Sequence, residues 1–511
     1  MLAYNAKFVI FIAILFNVIT AIVVTSILEY RVRLRRSVVM VSSPRDWTVN
    51  FFPSFYSNRA IFCYVVTLIL VSAIFMNWAL PFQYMVFGLV SVFLFFYYSS
   101  RFSKNWRKYS SQLFTKKLFT TALLMRIAYV TFIYFYYIQM TGRPNAFYAG
   151  DELFYENLAE HWHEYGLESF LSILSEYVVF SDTGYCWWLG IEYNLLGAHL
   201  YLVRIVKCII DAFSCLLIYN LAERNFGEPA GRMAALFYML LPNAWYYCGI
   251  SLKECEMAFL TILFVERGDL VLRSQRIKIK DLFLPLFIII IMFTFRTALG
   301  AVLFASMVAA LVLTTTKQLQ WWKKVLYSAL FGIWMFFAVG VEIVQETQQL
   351  WVDRSENQEV GYEWRSETNT FAKYATASVF APLIFTIPFA SMVNVYGQDV
   401  QMMLNGANFI KNIMSGFTIF AMFLMLFRGD WRKHVLSLAV MSGYLVVLVF
   451  SNFAHAERFH FPILGFEYMF AAYGITQMTN RHKRWYTVWI VGVCIANVVW
   501  GLVKLRGRGW V

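Results

Sequence analysis

The most pointed chemistry in this sequence is the acidic pair Asp151-Glu152, set in the string Tyr148-Ala149-Gly150-Asp151-Glu152-Leu153-Phe154-Tyr155. Two adjacent carboxylates after a glycine admit two readings. The aspartate can cap the helix that follows through its N-terminal amides. A carboxylate at a membrane face can also act as general base on an acceptor hydroxyl, with its neighbour orienting the acceptor. A second set of residues is basic: Lys253 beside Glu254, Arg296, Lys411 and Arg458, with Arg204 and Lys207 up to a turn inside an apolar run. Ionisable groups at membrane depth are costly, so they face a polar cavity, a partner or a headgroup. Snorkelling to lipid phosphates is one account of them. The other is that they bind the phosphate of a lipid-linked substrate and stabilise charge on the leaving group. His161, His163, His455 and His460 share a side with Asp151, Glu152 and Glu156, but no HExxH or similar spacing joins them. The expectation is therefore chemistry without a cofactor or metal, a divalent ion being the alternative. Arg126 lies mid-run and calls for an acidic partner.

The elements that carry these residues are membrane helices. Of 511 residues 60% are apolar, 19% aromatic and 14% charged, a balance far from that of soluble chains. A bilayer core about 30 Å thick needs roughly 20 apolar residues per helix, and backbone exposed to lipid must satisfy itself. Apolar runs near 7–29, 61–79, 84–100, 118–139, 197–220, 232–249, 254–266, 282–295, 297–315 and 325–343 predict spans, followed by 408–427, 434–451, 462–478 and 485–503. That is an all-α polytopic bundle of about 13–14 transmembrane helices. The net charge of +13 is topological, because most Lys and Arg fall in short loops such as 101–117, 267–280, 428–433 and 481–484. Nucleic acid is thus not an expected partner; membrane lipids are. The positive-inside rule makes those loops cytoplasmic and places 140–196, 344–407, 452–461 and the N-terminus on the other side. The last span conflicts with the rule, since it carries Lys504, Arg506 and Arg508 outward. The seven cysteines show no CxxC pair and read as packing residues.

Two outer segments are informative. Residues 151–180 alternate acids, aromatics and aliphatics at near-helical spacing, as an amphipathic helix lying in the interface would. Residues 375–393 are apolar but broken by Pro382 and Pro388. A full span there would invert every later loop, which favours a surface or re-entrant segment. The chain divides into an N-terminal three-span extension (1–117), a core (118–343) and a C-terminal part (344–511).

In order and sidedness these features resemble the GT-C superfamily of polytopic glycosyltransferases, especially its protein mannosyltransferase and lipid A aminoarabinose transferase branch. The resemblance is carried by Gly150-Asp151-Glu152 with Tyr155 and Ala159, then Gly184-Tyr185, Leu195-Leu196-Gly197, Arg204 and Leu221-Ala222-Glu223-Arg224-Asn225-Phe226-Gly227. Ala234-Ala235-Leu236, Leu241-Pro242 and Ser251-Leu252-Lys253-Glu254 continue it. The three spans ahead of the one that precedes the acidic loop depart from the pattern. What the resemblance implies is transfer of a sugar from a polyprenyl-phosphate donor to a glycan, lipid or protein acceptor at the non-cytoplasmic face of a bacterial inner membrane. Inverting displacement would use Asp151 as base and Glu152 to orient, with Lys253, Arg296, Arg458, Arg204 or Lys207 holding the phosphate and Glu254, Tyr155 and His460 nearby. The alternatives are a polysaccharide polymerase or ligase, which would place catalytic Arg and His in late loops, and a flippase or transporter. No two-fold internal repeat of the kind transporters carry is visible.

Overall fold

A computed structural model describes residues 50–147, 149–274, 279–314, 333, 383–450, 454–480 and 482–506. The predicted spans near 7–29 and 325–343 lie outside the described residues. The other twelve are all helical. The described elements are α1 (Ser54–Ile74), α2 (Phe82–Trp106), α3 (Ser111–Thr141), α4 (Gly150–Tyr165), α5 (Leu167–Tyr177), α6 (Phe180–Leu196), α7 (Leu200–Phe226), α8 (Glu228–Met239) and α9 (Pro242–Cys248). They continue as α10 (Glu254–Arg273), α11 (Ile279–Phe295), α12 (Thr297–Leu313), α13 (Asp399–Met403), α14 (Asn405–Arg428), α15 (Val435–Phe450), α16 (Glu457–Thr476) and α17 (His482–Arg506). Among the described residues α1, α2, α3, α14 and α17 are long and apolar enough to cross a membrane. The fold is that of an all-α, multi-pass integral membrane protein.

The remaining spans are shorter or carry charge, and each departure has a local cause. The run predicted at 232–249 is two helices, because Pro242 has no amide to continue the ladder of α8 and instead opens α9. The run predicted at 254–266 extends to Arg273. Its polar last turns are held by Arg224 to Glu266 at 2.7 Å and by Arg273 to Asp269 at 2.9 Å. Helices α11 and α12 are joined through the single extended residue Arg296.

Arg126 finds its acid. It is fully buried on α3 and pairs with Asp211 of α7, whose other oxygen accepts from Tyr238 of α8 at 2.7 Å. Removing either charge would leave the other stranded, so this knot locks the register of three core helices.

Polar contacts sort the helix ends onto two faces. On one, Arg232 donates to the carbonyls of Trp106 and Tyr109, each at 2.7 Å, Arg273 to that of Lys433 and Arg428 to Gln477. This face carries the basic loops. On the other, Asn394 donates to the Trp78 carbonyl, Arg204 to that of Pro144, and Lys504 to Ser391, Gln398 and Gln401. The last helix is thus present and its basic end lies on the less basic face. There the Lys504 charge is spent on three side-chain oxygens at 2.7–2.9 Å.

The broken stretch 383–395 enters the bundle without forming a helix. Lys411 binds the Ile387 carbonyl, Asn412 those of Thr386 and Pro388, and Asn497 accepts from the Ala390 amide at 2.7 Å. Irregular backbone at membrane depth survives only when protein satisfies it in this way. Of the expected surface or re-entrant segment, residues 383–393 are thus held irregular against α14 and α17, while 375–382 lie outside the described residues. Residues 48–511 constitute one compact unit, in which α1 and α2 pack on α17 and α14 from the far end of the sequence.

Candidate active site

The acidic loop is positioned at both of its ends. Gly142 closes α3 in the left-handed region, at φ 76°, and returns its amide to the Ile138 carbonyl. The chain then turns through Pro144, whose carbonyl takes the Arg204 guanidinium at 2.7 Å, and through Asn145, whose amide donates to Glu156 at 2.8 Å. Helix α4 starts at Gly150 with Ala149 as its N-cap, and no side chain caps it. The capping account of Asp151 therefore fails. Both acids sit in the first turn, where the helix dipole favours negative charge. Beyond α4, Gly166 at φ 85° breaks the expected interfacial helix, so that α4, α5 and α6 fold back on one another. Trp162 packs against the bare Cα of Gly190 and stacks on Phe170 at 4.6 Å.

Consecutive residues on a helix point about 100° apart, and here that separates the two carboxylates by environment. Glu152 is buried. It accepts from the amides of Ser251 at 3.1 Å and Ala146 at 3.4 Å and pairs with Arg204 at 3.6 Å. Burial pushes its carboxyl up to about 7, only partly opposed by Arg204 and the two amides. Asp151 has a half-exposed side chain that meets Arg458 at 2.8 Å. Both acids line a cavity of about 440 Å³ together with Tyr246, Tyr247, Gln398, Asp399, Gln401, Glu457 and Arg458. That volume falls in the range of small-molecule sites.

Of the basic candidates only Arg458 lines this cavity. Its guanidinium also rests on the Phe459 ring at 4.7 Å, and Arg296 covers the same ring at 4.4 Å. Arg296 is held by Glu254 at 3.6 Å and Tyr444 at 3.4 Å, so a chain of charges runs from Asp151 through two arginines to Glu254. Lys253 lies further back, on Asp182 and the carbonyls of Ser181 and Phe295. Arg204 braces Glu152 from beneath. Lys207 is fully buried, bonded to the Ile250 and Leu252 carbonyls and Tyr185 and paired with Glu256 at 3.4 Å. Tyr155 packs edge-on to Tyr185. His460 is buried between Lys411 and the Ala454 carbonyl, and His161 bonds Ser169. Among the described residues no three His, Cys, Asp or Glu side chains converge as a metal site would require.

Among the cavity residues that escaped the sequence are Gln398, Asp399, Gln401 and Glu457. Glu457 adjoins Arg458 and could have been read with it. The other three follow Gly397, at φ 75°, whose place after a Pro-broken apolar stretch was the available signal.

The family model of the Alg9-like mannosyltransferases matches residues 160–507, more than half of the chain. The chain belongs to the Alg9-like mannosyltransferase family. It is a membrane glycosyltransferase of GT-C type, the superfamily that the motif order pointed to. The matched region begins downstream of Asp151 and Glu152 and takes in all of α17. Among solved structures, the crystal structure of ArnT from Cupriavidus metallidurans bound to undecaprenyl phosphate is similar, with a TM-score of 0.42 and 13% identity over 76% of this chain and 72% of that one. No functionally curated protein matches.

Proposed function

We propose that this Alg9-like protein transfers a sugar from a polyprenyl-phosphate carrier to an acceptor hydroxyl at its non-cytoplasmic face. The observation that carries the reading is the half-exposed carboxylate of Asp151, which opens into a polar cavity with Arg458 at 2.8 Å. A general base needs a carboxylate accessible to the acceptor, and a departing phosphate needs a fixed cation beside the reacting centre. The pair offers both within one ion-pair distance. Sidedness supports the donor class. The cavity lies on the face away from the basic loops, which the positive-inside rule makes exterior. Nucleotide sugars are cytoplasmic, so a transferase working there requires a donor carried by lipid.

In the proposed single displacement Asp151 accepts the proton of the acceptor hydroxyl as its oxygen attacks the anomeric carbon, inverting it. The bond to phosphate breaks and Arg458 neutralises the leaving oxygen. Glu152, anchored by the Ser251 and Ala146 amides and by Arg204, fixes the start of α4 so that Asp151 is presented without rearrangement. Arg296 supports Arg458 across Phe459 and lengthens the positive field toward the membrane. The test is purified protein in lipid nanodiscs with radiolabelled polyprenyl-phosphate sugars, scored for label leaving the lipid. Label that stays on every donor refutes the proposal.

A further inference from the structure

The cavity has a wall that no motif foretold. Its residues Gln398, Asp399 and Gln401 are set in place from two directions. Tyr84, at the start of α2, donates its hydroxyl to one Asp399 oxygen at 2.7 Å. Directly after α1 and the short 3-10 turn that follows it, Ala79 bridges to Val393, and the Asn394 amide reaches the Trp78 carbonyl at 2.9 Å. From the other direction Lys504 donates to the side-chain oxygens of Gln398 and Gln401 at 2.7 and 2.9 Å. With those oxygens engaged, the two amide NH2 groups are left to donate. Asp399 keeps one oxygen beyond its bond to Tyr84. Glu457, only 7% exposed, lines the same cavity, where the charges of Lys504 and Arg458 act on its carboxylate.

The charge of this lining is lopsided. Asp151, Glu152, Asp399 and Glu457 contribute carboxylates, and Arg458, already paired with Asp151, is the one cation among the cavity-lining residues described. Carboxylates accept from hydroxyls and repel anions. Amide NH2 groups and the rings of Tyr246 and Tyr247 add donors and apolar faces that match the hydroxyl oxygens and C–H faces of a sugar ring.

We infer that Asp399, oriented by Tyr84, is an acceptor-binding residue, and that this wall admits a neutral polyhydroxylated group while rejecting an anionic one. The inference rests on the transferase reading above and assigns its two ends. Arg458 marks the phosphate of the donor, and Asp399 marks the acceptor. It also gives the spans ahead of the acidic loop a task, since α2 supplies the hydroxyl that holds Asp399.

The experiment uses the full chain in nanodiscs and two probes, methyl α-mannoside as the neutral one and methyl glucuronide as the anionic one, each titrated by NMR. The unmodified protein should bind the mannoside and discriminate against the glucuronide. Asp399→Asn should weaken the mannoside about 10-fold or more, as loss of a hydrogen bond to a charged group does. It should at the same time bind the glucuronide more tightly, a gain that a merely structural role would not produce. Tyr84→Phe removes only the orienting hydroxyl and should weaken the mannoside several-fold; it carries the test alone if Asp399→Asn does not fold. Mannoside binding unchanged in these variants, or a chain that prefers the glucuronide or binds neither probe, overturns the inference. Label release from polyprenyl-phosphate mannose is measured on the same preparations. Transfer with unaltered mannoside binding in the variants defeats this inference alone, whereas discrimination between the probes without transfer from any donor defeats the transferase reading alone.

Discussion

Asp151→Asn isolates the chemistry from the architecture. Asparagine keeps the size and planarity of the side chain, and the position makes no capping bond that could be lost. What disappears is the negative charge facing Arg458 and the capacity to take a proton. The ion pair has side-chain exposures of 56% and 38%, so solvent screens it and its loss costs about 0–1 kcal/mol of stability. General-base assistance is typically worth about 100- to 10,000-fold in rate, or roughly 3–5 kcal/mol of barrier. The expected outcome is therefore a kcat reduced by at least about 100-fold in a protein that inserts, melts within a few degrees of the unmodified chain and still binds its lipid donor. Label release from polyprenyl-phosphate sugars supplies the rate, and thermal unfolding in nanodiscs supplies the control. Near-normal turnover in the asparagine protein would falsify the assignment of Asp151 as base and leave the acidic loop with an architectural role only.

Three further outcomes are expected. Arg458→Ala should lower donor turnover strongly and Arg458→Lys should restore part of it, because a point charge answers phosphate even where the planar fork is lost; equal rates in all three proteins would move the phosphate site elsewhere. Glu152, raised from its ordinary 4.5 to about 7 by burial, binds its proton more tightly folded than unfolded. Its contribution thus favours folding below pH 4.5 and is lost as pH rises to about 7, a change of roughly 3 kcal/mol; Glu152→Gln should flatten this slope in denaturation series between pH 5 and 8, and parallel slopes would refute the account. Sidedness is read with Arg143→Cys, which is exposed where Asn145 is buried: a membrane-impermeant maleimide should label it in intact cells, and labelling only after lysis would place the cavity in the cytoplasm.

The apolar runs made most of the spans legible, because lipid imposes the same demand on every crossing segment: enough length, and a backbone satisfied from within. The failures fall where a local rule outranked hydropathy. Pro242 divided one run into two helices, and the charge pairs of Arg273 and Arg224 with Asp269 and Glu266 prolonged another beyond its apolar part. Asp151 and Arg458 were both nameable from the sequence, one by an acidic pair beside a glycine and one by its place among outer basic residues. Their contact across 307 positions was not. Neither was the sorting of the other cations, since Lys207 and Arg458 look alike as basic residues near span ends and differ only in what the fold places around them. Asp399 stayed hidden for the same reason. A lone aspartate after an irregular apolar stretch acquires meaning when Tyr84, 315 residues before it, and Lys504, 106 residues after the neighbouring Gln398, converge on its segment.

The basic end of α17 shows how the fold can override a topological rule for the sake of the site. Lys504 on the less basic face is unfavourable by sequence statistics. In the structure its ammonium is a structural donor with three oxygen partners, all on the stretch that supplies the second cavity wall. Lys411 and Asn412 serve the same stretch from α14 by taking up the carbonyls of residues 386–388. An irregular segment has no ladder of its own, so each of these polar bonds replaces one that a helix would have made internally. The consequence is an irregular segment held in place just ahead of α13, the helix that carries Asp399 and Gln401 to the cavity. The cations that hydropathy would count as topological errors are thus the ones that tie the irregular stretch and the wall residues that follow it to α14 and α17.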